Sequence, residues 1–109
     1  MTFDEYQKTA TKTAAYPKLL HGSVYPALGL AGEAGEVAEK VRKIIRDDDG
    51  RVSDQKRQDI KKELGDVLWY VSQVAKEFDL SLSDIATSNI EKLASRQKRG
   101  KIKGSGDNR

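Results

Sequence analysis

Apolar residues recur along the chain at intervals of three and four, the spacing of an amphipathic helix. In one segment the stripe is Leu30, Ala34, Val37, Ala38, Val41, Ile44 and Ile45. Thirty residues later it returns as Ile60, Leu64, Val67, Leu68, Val71, Val74 and Ala75. No segment alternates convincingly with a period of two, so the pattern predicts an all-α fold. Thr2-Phe3-Asp4-Glu5 fits a capping box and opens a first helix running to about Ala15, where Tyr16-Pro17 stops it. Both prolines and a glycine fall in residues 17–26, which read as a loop. A second helix is expected from about Ala27 to Arg46, a turn at Asp47–Arg51, and a third helix from Asp54 to Phe78. Ser81-x-x-Asp84 caps a fourth, reaching about Arg99. The short connection at Gly50 makes helices two and three an antiparallel hairpin, the base of a four- to five-helix bundle.

Acids follow the stripes. Glu33 and Glu36 lie beside the first, Glu63 and Asp66 beside the second. With Leu30 or Ile60 at zero on a helical wheel, the first acid of each pair falls near about −60° and the second near about −120°. Both pairs therefore occupy the same shoulder of a buried face. Glu33 precedes Gly50 by 17 residues and Asp66 follows it by 16, while Glu36 and Glu63 stand 14 before and 13 after. An antiparallel hairpin then sets these couples at matching heights, successive levels being about 4.5 Å apart at 1.5 Å per residue. Four gathered carboxylates repel one another, and a divalent cation resolves the conflict. An all-oxygen set without His or Cys selects magnesium, manganese or calcium, and a formal charge of −4 matches about two ions. Glu39 and Glu77 read instead as ordinary solvated acids. Gly35 and Gly65 both fall near about 140°, where a close helix crossing would call for them.

Composition narrows the picture. The 109 residues suffice for one compact domain; apolar content is 37% and charged content 34%. A core that thin is expected to be completed by a second copy. There is no cysteine, which excludes disulfides and thiolate zinc sites. No apolar run approaches the roughly 20 residues of a membrane span, and no signal-peptide pattern opens the chain, so the expectation is a cytoplasmic protein. The net charge is +3, yet residues 98–109 alone carry five basic groups against Asp107. The domain over 1–99 is thus close to neutral, and the basic, glycine-rich tail over 100–109 either stays flexible or folds over a ligand as a lid. A nucleic-acid binder would more often present a basic face on its folded body. A helical binding module holding nucleic acid through this tail is the alternative reading, but it leaves the four acids unexplained. A di-iron carboxylate bundle needs Glu-x-x-His pairs, and the single histidine, His21, lies in the loop outside both motifs.

The residues Gly29-Leu30-Ala31-Gly32-Glu33-Ala34-Gly35-Glu36-Val37 and Lys62-Glu63-Leu64-Gly65-Asp66-Val67 resemble the MazG-type all-α nucleoside triphosphate pyrophosphohydrolases. That family's pattern is E-E-x-x-E, a variable spacer, then E-x-x-D. The likeness extends from Glu5-Tyr6-Gln7 through Asn89–Leu93 to the closing Gly-Ser-Gly-Asp-Asn-Arg. It implies magnesium-dependent hydrolysis of a (deoxy)nucleoside triphosphate to the monophosphate and pyrophosphate, by a homo-oligomer, dimer or tetramer. Glu33, Glu36, Glu63 and Asp66 match the metal-ligand and catalytic positions. Gly32 stands where the family has its first glutamate, so any step assigned to that acid must fall to another group.

A triphosphate also needs cations and a surface for its base. Tyr70 falls near about −80°, between the acid angles, and Lys40 takes the equivalent place on helix two. Asn89, Lys92 and Arg96 share one face of helix four, and similar residues in the resembling family contact phosphates. Phe3, Tyr6 and Gln7 on helix one are placed either to meet a base or to fill the core. Trp69, opposite its own stripe, is expected to be covered by a helix of another subunit.

Overall fold

The computed structural model describes residues 1–109 and contains four helices and no strand. They are α1 (Phe3–Thr11), α2 (Val24–Asp48), α3 (Asp54–Glu77) and α4 (Leu82–Lys98). Helices α2 and α3 form the antiparallel hairpin, α1 lies along α3, and α4 packs chiefly on α1. No helix is long and apolar enough to cross a membrane.

Local chemistry sets the boundaries. Thr2 Oγ1 accepts from the Glu5 amide at 3.0 Å, Ser53 Oγ from the Lys56 amide at 3.1 Å, and Ser81 Oγ from the Asp84 amide at 3.2 Å. Each hydroxyl satisfies an amide that its helix leaves unpaired. Helix α1 stops at Thr11, short of the expected Ala15. There Thr11 and Thr13 turn their hydroxyls onto the carbonyls of Gln7 and Ala10 and the backbone tightens into three-residue turns. Helix α2 begins three residues before the expected Ala27, because Pro26 sits in the first turn, where no amide is needed. It ends on Asp49 and Gly50, both at positive φ (52° and 78°), with the Gly50 amide returning to the Ile44 carbonyl at 3.1 Å.

Two side chains tie the layers together. Gln7 donates to the Ser72 and Leu80 carbonyls and accepts from the Leu82 amide, so α1 clamps the end of α3 to the start of α4. Its amide is thereby committed to the fold and is not free to read a base. Asp4 accepts from Ser81 Oγ and the Ser83 amide, and those bonds hold its carboxyl below the ordinary value.

The core is small. Only eight of 109 residues are buried, among them Ala10, Ile44, Ala75 and Leu82. The chain is extended, with a radius of gyration of 16.7 Å against about 13 Å for a compact domain of this length. The hairpin stripes are covered along one edge only. Val67, Leu68, Val71 and Val74 are half-buried, whereas Ile45 is 67% and Leu64 51% exposed. Two helices shield only the strip along which they touch; α1 covers part of α3, and α4 leans away from the hairpin.

Candidate metal centre

The hairpin brings three of the four acids together. Carboxylate oxygens of Glu33, Glu63 and Asp66 lie within 4.8 Å of one another. Glu33 comes from α2 and the other two from α3, each on the shoulder where the apolar stripe meets solvent. Glu33 and Glu63 are half-buried and Asp66 is exposed. Desolvation pushes the Glu33 carboxyl above its ordinary value, helped by the Glu63 carboxyl it meets and by the negative charge of Asp66, Glu63 and Glu36. Crowded oxygens without enough cations to neutralise them suit a hard divalent ion. Glu36 is exposed and stands outside the threefold cluster, one turn along α2. The position the register assigned to it beside Glu63 is taken by Lys40, whose Nζ lies 3.4 Å from Glu63 Oε1.

An aromatic wall stands beside the acids. Tyr70 is half-buried, and burial together with the charges of Tyr25, Glu33 and Asp66 raises its phenol. Its ring lies against Gly29 so closely that a methyl group there would overlap it. Trp69 meets Tyr70 edge-on with centroids 5.0 Å apart and meets Tyr16 edge-on at 6.2 Å. Tyr16 stacks on Tyr25 at 5.8 Å. Trp69 Nε1 donates to Thr13 Oγ1 at 2.9 Å. The expectation that another subunit covers Trp69 is therefore corrected: the segment after α1 of the same chain does so. Tyr16 and Tyr25 carried one signal in the sequence, each preceding a proline in the loop that leads into the acidic helix. On the other flank, burial and the Asp66 charge raise the Tyr6 phenol, and Phe3, Tyr6 and Leu68 line a cavity of about 160 Å³.

Glu77 also departs from expectation. It is no solvated acid: its side chain is 11% exposed and accepts from the Tyr16 hydroxyl, with Lys18 Nζ at 3.1 Å. Those partners lower its carboxyl and pin the loop to the end of α3. Glu39 remains on the surface, paired with Arg42 and Lys43. His21 is exposed and bonds Ser23 at the entrance to α2.

Asn89, Lys92 and Arg96 lie on α4, which packs chiefly on α1 and not on the hairpin. The tail docks on them. Asp107 Oδ1 is 3.2 Å from Lys92 Nζ, and Arg96 donates to the Asp107 carbonyl. Arg109 donates to the carbonyls of Lys101, Ile102 and Gly106, closing the tail on itself. Residues 100–109 thus lie against α4.

The family model of the MazG nucleotide pyrophosphohydrolase domain matches residues 26–100, which contain every acid of the cluster. The chain belongs to this family. A MazG domain accounts for the all-helical architecture and for an acidic cluster on the central hairpin. The chain is also 49% identical, over 114 aligned positions and the full length of both proteins, to the Gene 37 protein of Mycobacterium phage L5. No solved structure matches it.

Proposed function

We propose that this MazG protein hydrolyses (deoxy)nucleoside triphosphates to the monophosphate and pyrophosphate, by attack at the α-phosphate, in the service of nucleotide-pool cleansing. The observation that carries the reading is the convergence of Glu33, Glu63 and Asp66 within 4.8 Å on a MazG hairpin. Their oxygens fit magnesium, with manganese as a substitute, and Glu36 stands one turn away to extend the set toward about two ions. Magnesium, when bound, lowers the pKa of water and offsets charge on phosphate oxygens.

The chain's own groups do the rest. Glu33, Glu36, Glu63 and Asp66 would hold the metal beside the reacting α-phosphate. Lys40, already beside Glu63, contributes positive charge at the edge of the cluster. Tyr70 borders the nucleotide, and Asn89, Lys92 and Arg96 are further substrate contacts presented by a second copy. The exposed edges of the stripes, at Val41, Ile45 and Leu64, support a homo-oligomer, dimer or tetramer, in which another hairpin covers them.

The test is a panel of canonical, oxidised and methylated triphosphates assayed for monophosphate and pyrophosphate with and without magnesium. The expected result is metal-dependent release of both products from at least one substrate. Release of orthophosphate in place of pyrophosphate, or no turnover on any of them, refutes the reading.

A further inference from the structure

Beyond the acids the hairpin groove changes sign. Toward the Gly50 turn, Lys40, Lys43 and Ile44 of α2 face Lys56, Asp59 and Ile60 of α3 across a cavity of about 170 Å³. Three cations thus share a cleft with one acid, and Asp59 accepts a hydrogen bond from Gln55 at 2.9 Å. Each lysine has an acidic neighbour, but loosely. Lys40 lies 3.4 Å from Glu63, Lys43 3.9 Å from Glu39 and Lys56 4.0 Å from Asp48. A charge-assisted hydrogen bond is shorter, about 2.7–2.9 Å, so these ammonium groups keep donors available. The cleft continues the same groove. Lys40 follows Glu36 by one turn, about 6 Å along the axis, and Asp59 precedes Glu63 by the same interval.

We propose that Lys40, Lys43 and Lys56 form an anion subsite for the terminal phosphates of the substrate. The triphosphate then lies along the hairpin, its α-phosphate among the acids and its β- and γ-phosphates pointing toward the Gly50 turn. This rests on the pyrophosphohydrolase reading above and adds a direction to it. The water oxygen bonds to the α-phosphorus and the bond from that phosphorus to the bridging oxygen breaks. The electron pair leaves with pyrophosphate, and the water's proton passes to solvent. The lysines thus meet the group whose negative charge rises, and they hold it as product. Lys40 spans both regions, since it touches Glu63 and lines the cleft.

Inorganic pyrophosphate with magnesium, titrated calorimetrically into the whole protein, tests the subsite without catalysis. The Lys43→Ala/Lys56→Ala double variant is compared with Lys8→Ala/Lys12→Ala, which removes the same charge from α1 and its C-cap. We expect pyrophosphate affinity to fall at least about tenfold in the first and to stay at the wild-type value in the second. The KM for the triphosphate should rise in parallel. Lys43→Arg/Lys56→Arg should restore most of the affinity, which separates lost charge from lost folding. Equal pyrophosphate affinity in wild type and the Lys43/Lys56 double alanine variant, or equal loss in both double alanine variants, overturns the subsite. Absence of pyrophosphate release by an intact wild-type protein overturns the hydrolase reading instead, and the titration still decides whether the lysines bind the anion.

Discussion

The hairpin and the α4–tail unit both concentrate charge, and they handle it in opposite ways. On α4, Lys92 and Arg96 meet Asp107, while the Arg99 and Arg109 guanidinium groups are spent on tail carbonyls. Arg96 is only 5% exposed, and its guanidinium finds both a carboxylate and a carbonyl. On the hairpin, Glu33, Glu63 and Asp66 converge with Lys40 as the one cation paired to them. The first arrangement, though still net positive, satisfies its donors with acceptors of the same chain and so stabilises the fold. The second leaves charge without a counterpart, and desolvation, followed by the neighbouring acids, pushes its Glu33 carboxyl up. Unneutralised charge at a half-buried position is where an external ligand has most to offer.

The sharpest way to break this comparison is Glu63→Gln. It removes an acid that belongs to the cluster and leaves the helices their packing. Turnover should fall on the order of 10²–10³, the scale of losing one preorganised electrostatic contact in a transition state, while far-UV circular dichroism is unchanged. Glu36→Gln should reduce turnover less, because Glu36 stands outside the threefold cluster. An equal loss in both variants would mean that Glu36 swings inward when the ion binds.

Arg96→Met probes the other side. The tail should detach from α4, read as faster hydrogen exchange over residues 100–109, with the KM for triphosphate changing less than in Lys40→Met. A larger KM effect at Arg96 than at Lys40 would make Arg96 the stronger substrate contact and erase the contrast between the regions.

Acidity provides a third measurement. The folded-state carboxyl of Glu33 is raised above 4.5, so the folded chain binds a proton more readily than the unfolded one. The metal-free protein should therefore lose stability through this group as pH rises through the window above 4.5, and regain it as pH falls. Glu33→Gln should raise the Tm of metal-free protein at neutral pH and flatten that part of the profile. Magnesium should raise the wild-type Tm and leave the Glu33→Gln variant less affected.

Much of this was legible in the amino-acid pattern, for a physical reason. Helix caps at Thr2 and Ser81 are local chemistry, and the gathering of Glu33, Glu63 and Asp66 needs only helical periodicity and one short turn. What escaped depends on lateral packing. Periodicity cannot say that the chain after α1 folds under Trp69, that Glu77 receives Tyr16, or that Asp107 closes on Arg96. Lys40 illustrates the boundary. Its face was correctly read, but its contact with Glu63 in place of Glu36 turns on the stagger between two helices, which a wheel does not carry.

Gly35 and Gly65 yield the smallest effect and test the open side of the hairpin. A methyl group at Gly35 or Gly65 meets nothing within 4 Å, so no helix of the same chain crosses closely there, contrary to the expectation from their shared angle. Glycine inside a helix costs about 1 kcal/mol relative to alanine. With space available, Gly65→Ala should stabilise the protein by roughly that amount, a rise of about 4 °C in Tm for a domain of this size. Gly35→Ala should act similarly, and the two should add, since they lie on different helices without a shared neighbour. A fall in Tm, accompanied by a smaller particle in light scattering, would mean that a second copy brings its backbone against these glycines. The missing crossing would then exist between chains and not within one.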